Sequence, residues 1–203
     1  MIKVENIDVY GFEAAIRGMR NPMNSWKVSD SVCFMDGQCT IGPKDLDLMK
    51  RLFKAGTEHR KYLRMINVTM DITAPLYWWK EFDTYKIGTS CNSCSTMHKI
   101  HSKEVTIDDF SHEQLDYTSK CMLKDIISVL NKNREIFINS KDKQYWWNMI
   151  QLLPSSYNQK RTVQLSYETV FNIIKQREHH KLDEWIKFTD ILKDLPYVRE
   201  LLQ

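Results

Sequence analysis

The chain has 203 residues, a formal net charge of +3 and 42% hydrophobic residues. This length accommodates a sizeable core, and we predict a single domain over residues 1–203. Lysines and arginines are spread through the chain, so the composition does not indicate a nucleic-acid groove. No stretch approaches the roughly 18 apolar residues of a membrane span, and the N-terminus lacks a signal-peptide pattern. We therefore expect a cytoplasmic protein with no membrane or nucleic-acid partner.

The cysteine count favours reduced thiols. The chain contains five cysteines, an odd number without a secretory signal. Such usage is typical of proteins from reducing compartments. We therefore expect free cysteines rather than a disulfide framework.

The first elements along the chain differ in how clearly they are patterned. Residues up to about Thr40 have weak periodicity and several turn residues, Asp36-Gly37 among them, which predicts a strand, a short helix and a long loop. From Pro43 the pattern sharpens, and Gly56 ends it. A helix of about three turns is predicted here, because proline suits a first helical turn and apolar residues recur at helical spacing. Those residues are Leu46, Met49, Leu52 and Phe53.

The middle of the chain carries a strand pattern and then a helix pattern. Apolar residues alternate with polar ones from Ile66 to Ile72, which predicts a strand with one buried face. Thr73-Ala74-Pro75 is expected to cap a helix that carries Leu76, Trp79 and Phe82.

Further helices are predicted in the second half. Ile107-Asp108-Asp109 could cap one, residues 122–130 are amphipathic, and residues 145–153 form another helix that Pro154 ends. A short strand is predicted at 163–165, Ser166 with Thr169 opens a helix through residue 174, and a last helix covers 182–192. The balance predicts an α+β fold, with helices packed on a small antiparallel sheet.

Two pairs of adjacent tryptophans are unusual for a helix surface. Trp78-Trp79 and Trp146-Trp147 each place two large rings about 100° apart, which one core face does not easily accommodate. The second ring of each pair is expected to cover a ligand pocket or to meet another subunit. A core face wide enough for both rings is the alternative.

One cluster has the residue types of a zinc site but not its spacing. Cys91, Cys94, His98 and His101 would spread over about 15 Å of a helix, too far for one ion with bonds of about 2.0–2.3 Å. The two cysteines could still bind a metal from a loop, and Cys94 with His98 could form a nucleophile and base. Loop thiols and solvated histidines are the favoured interpretation, so we predict no metal and assign no catalytic residue.

A helix that ends at Gly56 is followed by a strand, by Ala74-Pro75 before a helix, by a small polar loop and later by Leu153-Pro154 with Arg177. This order of elements resembles the flavin-dependent thymidylate synthases, the ThyX family, over roughly residues 45–200. Counting from Ala74-Pro75 places Thr84-Tyr85-Lys86 on the family's R-H-R triplet, Thr89 on its serine and residues 91–96 on its loop of the form N-E-x-S-x-R. In a second block, Leu153-Pro154 and two later residues fall at the family's intervals. Those two are Asn172 and Arg177. His59 lies near a flavin-contacting histidine of the family after a shift of two residues.

This resemblance implies an α+β homotetramer that binds FAD and dUMP. It also implies that a one-carbon unit comes from methylenetetrahydrofolate and is reduced by a flavin hydride that NADPH supplies, so that the protein mainly positions its ligands. By the same resemblance, the expected substrate-binding residues are Asn92, Ser93, Cys94, Ser95 and Arg177. The expected cofactor-binding residues are His59, Thr84, Tyr85, Lys86, Thr89 and Asn172.

The chain departs from the family where positive charge is expected. Of the triplet, only Lys86 is charged. The loop's Glu, Ser and Arg are replaced by Asn92, Cys94 and Thr96. The arginine before Leu-Pro is replaced by Ile150. Each charge-assisted hydrogen bond contributes roughly 1.5–3 kcal/mol, so three lost arginines lower affinity for a dianion by several powers of ten. The sequence therefore supports two hypotheses. One is a divergent ThyX-like enzyme, and the other is a nucleotide-binding or structural oligomer without flavin on the same scaffold.

Overall fold

A computed structural model describes residues 1–34 and 38–203, and its secondary structure is α+β, as predicted. The strands are β1 (Lys3–Tyr10), β2 (Val32–Cys33), β3 (Cys39–Thr40), β4 (Asn67–Pro75), β5 (Thr89–Ser93) and β6 (Asn158–Ser166). The helices are α1 (Phe12–Arg20), α2 (Pro43–Lys54), α3 (Leu76–Phe82), α4 (Thr96–Lys99), α5 (Tyr117–Ser140), α6 (Lys143–Leu152), α7 (Tyr167–Arg177), α8 (Asp183–Lys193) and α9 (Val198–Leu202). A four-stranded sheet has the order β1-β4-β6-β5, and β2 pairs with β3. The turn predicted at Asp36-Gly37 lies outside the described residues.

The chain divides into two compact units, here called the first and the second unit. The first unit comprises Met1–Lys3, Ile72–Thr84 and Asn92–Thr162. The second comprises Val4–Asp71, Tyr85–Cys91 and Val163–Gln203. The single domain over residues 1–203 stays a prediction. Within the described ranges, no helix combines the length and the apolar character that crossing a bilayer requires.

The core of the first unit lies between the hairpin of α5 and α6 and the segment before it. Its buried residues are Ile100, Val105, Phe110, Leu123, Leu130 and Met149. Asp116 caps α5 by accepting a hydrogen bond of 2.7 Å from the amide of Ser119. The cap predicted at Ile107-Asp108-Asp109 is wrong for this helix, because those residues form a separate 3₁₀ turn. Helix α6 ends before Pro154, as predicted.

The prediction for the first tryptophan pair is wrong, and the wide core face is the correct alternative. Trp78 and Trp79 are 0% and 1% exposed. Their ring centroids lie 4.9 Å apart, and Phe82, on the next turn of α3, packs at 5.1 Å from each. Trp79 Nε1 also donates a hydrogen bond of 3.0 Å to the carbonyl of Gln159. In the second pair, Trp147 is exposed, and its contact with a ligand or another subunit stays a prediction.

Strand β4 confirms the alternation from Ile66 to Ile72 but continues further than predicted. Its burial alternates along the strand, and Pro75 is its last residue. Thr73 and Ala74 are therefore strand, while Pro75 is also the N-cap residue of α3, as predicted, without a capping side-chain hydrogen bond. The first amides of α3 are satisfied from elsewhere, because Leu76 and Tyr77 donate to the carbonyls of Tyr157 and Ser155 at 3.0 Å each.

The second unit is built around α7. Ser166 caps this helix as predicted, since its hydroxyl accepts a hydrogen bond of 3.3 Å from the amide of Thr169. The buried side chains of α7 belong to Tyr167, Thr169, Val170, Phe171, Ile173 and Ile174. Helix α8 packs against α7, as does the 3₁₀ turn Lys61–Arg64. Burial of this kind on several sides gives α7 little freedom to shift.

The hairpin of β2 and β3 overturns the prediction that all cysteines are free. Cys33 lies opposite Cys39 in the antiparallel register, with their Cα atoms 4.0 Å apart, and the two form a disulfide. Cys91, Cys94 and Cys121 are not part of this disulfide. The pairing depends on the strand register, which the cysteine count does not contain.

A buried ion pair also anchors the second unit. Arg20 Nε donates to Asp45 Oδ1 at 2.5 Å, and the two side chains are 5% and 0% exposed. Burial alone would raise the pKa of Asp45. Hydrogen bonds from the side chains of Ser31 and Ser29, from Arg20 and from the backbone amide of Asp30 outweigh burial and lower this pKa. The carboxylate therefore contributes stability at neutral pH.

We predict that Asp45→Asn destabilises the protein by about 3 kcal/mol or more, because Arg20 is left buried without its counter-ion. The folded-state pKa of Asp45 is lowered, so its contribution is present above the unfolded pKa of about 3.9 and is lost as the pH falls through the folded value. The difference from wild type in urea-unfolding free energy should therefore narrow below about pH 4. Asp47→Asn, at a residue 66% exposed on the same helix, is the control. A small effect of Asp45→Asn at neutral pH would contradict the prediction.

Candidate functional site

In the second unit, residues 85–88 run along α7 and are bonded near both of its ends. Near the C-terminal end, Tyr85 Oη donates to Gln176 Oε1 at 3.0 Å and accepts from Arg177 Nε at 2.9 Å. Near the N-terminal end, Thr169 Oγ1 donates to the carbonyl of Ile87 at 2.8 Å. The amide of Ser166 donates to the Gly88 carbonyl at 2.8 Å. The segment is therefore fixed to a buried helix before β5 begins.

The side chain of Arg177 lies beside two aromatic rings. Its guanidinium carbon is 4.9 Å from the ring centroid of Trp185 and 5.8 Å from that of Tyr85. Trp185 lies on α8 and is buried. The sequence assigned Tyr85 to the cofactor and Arg177 to the substrate, and the structure brings the two into contact.

Gly88 makes the close approach of this segment to α7 possible. Its φ is +67°, in the left-handed region, and a Cβ atom built there would lie 2.5 Å from Ser166 Oγ and 3.0 Å from Thr169 Oγ1. Any other residue would strain the backbone and collide with the cap of α7.

The other residues of the predicted cofactor segment differ in what their side chains contact. Thr84 Oγ1 donates to the carbonyl of Glu81 at 2.7 Å, at the end of α3. Lys86 is exposed, and within residues 1–34 and 38–203 its side chain forms no ion pair. Thr89 Oγ1 is buried and has no hydrogen-bond partner in the described structure. A buried hydroxyl without a partner is costly, so Thr89 is suited to bonding a ligand or a water molecule.

His59 and Asn172 are the remaining predicted cofactor residues. His59 lies in an exposed turn, where its amide donates to the carbonyl of Gly56 at 3.0 Å. Asn172 is half-buried on α7. It precedes Arg177 by five residues, which separates the two side chains by about 140° around the helix. They therefore leave the helix on different faces.

The small polar stretch expected to be a loop is largely a strand. Asn92 and Ser93 end β5 and are exposed. Cys94 follows, with its amide donating to the carbonyl of Lys160 at 3.0 Å and its carbonyl accepting from Gln159 Nε2 at 2.7 Å. These backbone bonds place the stretch at the edge of the sheet.

In the first unit, Cys94 and Ser95 line a cleft of about 420 Å³. Its other lining residues include Lys3, Lys103, Asp109, Tyr157, Asn158 and Lys160. The hydroxyl of Ser95 accepts a hydrogen bond of 3.0 Å from the amide of His98. The cleft wall is thus rich in hydrogen-bonding groups and carries lysines.

Two pKa shifts describe the electrostatics of this cleft. A hydrogen bond to Asp109 raises the pKa of Lys103. Burial raises the pKa of Tyr157, and the charge of Asp109 adds to this effect. Lys103 therefore stays positively charged and Tyr157 neutral over the physiological pH range.

The sequence analysis missed several residues that the structure places beside the predicted ones. Gln176 and Trp185 contact Tyr85 or Arg177, and Lys103 with Asp109 lines the cleft beside Cys94. A tyrosine where the family has a basic residue was the available signal that this position has a new partner. Over the two described ranges, no group of three or more His, Cys, Asp or Glu residues could hold a metal ion.

Comparison with known proteins identifies the fold. No protein-family model matches the chain, and no curated protein matches it significantly. A structure of ThyX from Helicobacter pylori, a thymidylate synthase, with FAD and dUMP matches at 19% identity and a TM-score of 0.71, covering 100% of both chains. A second Helicobacter pylori ThyX structure, also with FAD and dUMP, matches at 19% identity and a TM-score of 0.67, covering 98% of this chain and 96% of the other.

A methylase has a similar structure. PolB, a UMP/dUMP methylase from Streptomyces cacaoi bound with 5-Br dUMP, has 12% identity and a TM-score of 0.64, covering 100% of this chain and 94% of that one. The chain therefore has the ThyX fold, which confirms the fold expected from the sequence.

We predict that Gly88→Ala destabilises the protein by about 2 kcal/mol, because the methyl group meets Ser166 and the backbone is strained. Chemical unfolding measures the effect. Gly56→Ala is the matched control, since Gly56 also has a positive φ, +105°, but nothing lies within 4 Å of an added Cβ. The decrease in unfolding free energy should be larger for Gly88→Ala than for Gly56→Ala. Equal losses would mean that the contact with Ser166 does not constrain the segment.

Proposed function

We propose that this protein is a ThyX-like enzyme that transfers a one-carbon group to a pyrimidine nucleotide of the dUMP type. The observation that carries the proposal is the contact of Arg177 with Tyr85 and Trp185 at the end of α7. An arginine at this interval is what the resemblance assigns to the nucleotide. Two proteins of the same fold, Helicobacter pylori ThyX and PolB, contain dUMP and 5-Br dUMP in their structures, which supports this choice of substrate.

The residues proposed for the nucleotide offer two kinds of contact. Arg177 has a planar guanidinium that suits the oxygens of a phosphate. Asn92, Ser93, Cys94 and Ser95 offer side chains and backbone groups at or beside the end of β5. Each set of residues is proposed by itself as a contact for the nucleotide, and the chemistry of transfer needs no protein nucleophile in this proposal.

The residues of the second unit fit FAD through polar side chains rather than through several cations. Thr89 has a buried hydroxyl without a partner, and Lys86 is exposed and charged. We assign these two residues to FAD, together with His59 and Asn172. Bound FAD would supply the hydride that reduces the transferred group, with NADPH and methylenetetrahydrofolate as co-substrates. The hydroxyls of Thr84 and Tyr85 bond to protein groups, so in this proposal they shape the segment.

A second candidate is a nucleotide-binding protein without flavin on the same scaffold. Two observations favour it. Thr84 and Tyr85 direct their hydroxyls to protein atoms, and Lys86 is the one charged residue of the triplet. Because three arginines of the family's motifs are missing, few positive charges remain to neutralise a pyrophosphate. For either candidate we propose a cytoplasmic homotetramer, which light scattering would test.

The first prediction here concerns the flavin. Freshly purified protein should absorb at about 450 nm, as bound flavin does. With FAD, NADPH and methylenetetrahydrofolate, it should release the C5 proton of dUMP. Protein that binds no FAD but gains melting temperature with dUMP would favour the second candidate. Protein that responds to neither ligand would contradict both.

The second prediction concerns Arg177. Arg177→Gln should weaken dUMP binding roughly 10- to 100-fold, because a charge-assisted hydrogen bond contributes about 1.5–3 kcal/mol and each 1.4 kcal/mol is tenfold. Isothermal titration calorimetry measures the dissociation constant. Arg51→Gln is the control, since Arg51 is 66% exposed and pairs with Asp47 one turn away on α2. Wild-type affinity in Arg177→Gln would remove Arg177 from the proposed site.

A further inference from the structure

The hydroxyl of Tyr85 forms two hydrogen bonds with different directions. It donates its single proton to Gln176 Oε1 at 3.0 Å, which leaves its lone pairs for the Nε–H of Arg177 at 2.9 Å. A neutral tyrosine hydroxyl has one donor and two acceptor positions, so the bond to Gln176 determines which way the proton points. Gln176 and Arg177 are neighbours on α7, and the tyrosine hydroxyl joins their two side chains.

The guanidinium of Arg177 also lies over an aromatic ring. Its central carbon lies 4.9 Å from the ring of Trp185, and this ring is 6.1 Å from that of Tyr85 in an edge-on arrangement. Trp185 is buried, so it cannot follow a moving side chain. The bond from Nε–H to Tyr85 and the contact with the Trp185 ring therefore both restrict the orientation of the planar guanidinium.

We propose that Tyr85 is a positioning residue that acts on the nucleotide through Arg177. This inference rests on the proposed function, in which Arg177 binds the phosphate. Tyr85 stands where the ThyX triplet has its histidine, and its hydroxyl is directed at α7. A preorganised arginine loses less conformational freedom when a ligand binds, so affinity rises without a new contact to the ligand.

Tyr85→Phe isolates the hydroxyl, because it keeps the ring beside Arg177 and Trp185. The dissociation constant for dUMP should rise about tenfold, while the melting temperature changes by no more than about 2 °C. In Arg177→Gln, the additional Tyr85→Phe change should have no further effect, since there is no guanidinium left to orient. Tyr117→Phe is the control, at a tyrosine that is 84% exposed on α5. Calorimetry on the four proteins of the cycle gives the coupling.

Two outcomes of the cycle would overturn the inference. If Tyr85→Phe binds dUMP as tightly as wild type while Arg177→Gln does not, the hydroxyl is irrelevant to Arg177. If the losses of dUMP binding free energy in Tyr85→Phe and Arg177→Gln add fully in the double variant, Tyr85 contacts the ligand directly instead of acting through Arg177.

A ligand-free measurement separates this inference from the proposed function. In protein labelled with [¹⁵N]arginine, the Nε–H signal of Arg177, assigned by its loss in Arg177→Lys, should exchange slowly with water and shift in Tyr85→Phe. An unchanged signal in Tyr85→Phe would overturn the positioning role. Wild-type protein that binds no dUMP would instead contradict the proposed function, whatever the arginine signal does.

Discussion

Burial of α7 is the constraint on which the candidate site of the second unit depends. Its inward side chains, from Tyr167 to Ile174, are packed in the core, and Ser166 caps its first turn. Close-packed interiors do not tolerate a sliding helix, so both ends of α7 have fixed positions. Segment 85–88 is bonded near each end, and Arg177 is the last residue of the helix. The precision of the site therefore comes from the core and not from the surface loop.

This arrangement bears on the loss of positive charge relative to the ThyX triplet. Arginine and lysine side chains each carry about 2 kcal/mol of rotamer entropy, part of which is lost on binding. Exposed Lys86 incurs that loss whenever it binds an anion. Arg177, already held by Tyr85 and Trp185, incurs less of it, and its fork can bond two oxygens at once. Under the proposed function, one oriented arginine offsets part of what several cations supply in the ThyX motif.

The sequence predicted those elements whose signals are local. Helix α2 has proline at its start and glycine after its end, β4 alternates strictly, and α7 has a Ser166 cap. Strand β5 was missed because its small polar residues at a sheet edge carry no alternation, and its position is decided by bonds such as Cys94 to Lys160. The bond between Cys33 and Cys39 was missed for a related reason, since it follows from strand register. Both the position of β5 and the pairing of Cys33 with Cys39 depend on contacts with other strands, which a local sequence pattern does not contain.

The same limit applies to the candidate site, where residue identity was readable but residue partners were not. Tyr85 and Arg177 are 92 residues apart in the chain, and no local pattern joins them. By comparison with the family motif, Tyr85 has lost a contact with the ligand, because a neutral tyrosine cannot supply the positive charge of the basic residue. The geometry gives a different account: the hydroxyl of Tyr85 bonds to the side chains of Gln176 and Arg177, which both belong to α7. Under the proposed function, Tyr85 therefore keeps a part in binding, because it exchanges a contact with the ligand for a contact with Arg177.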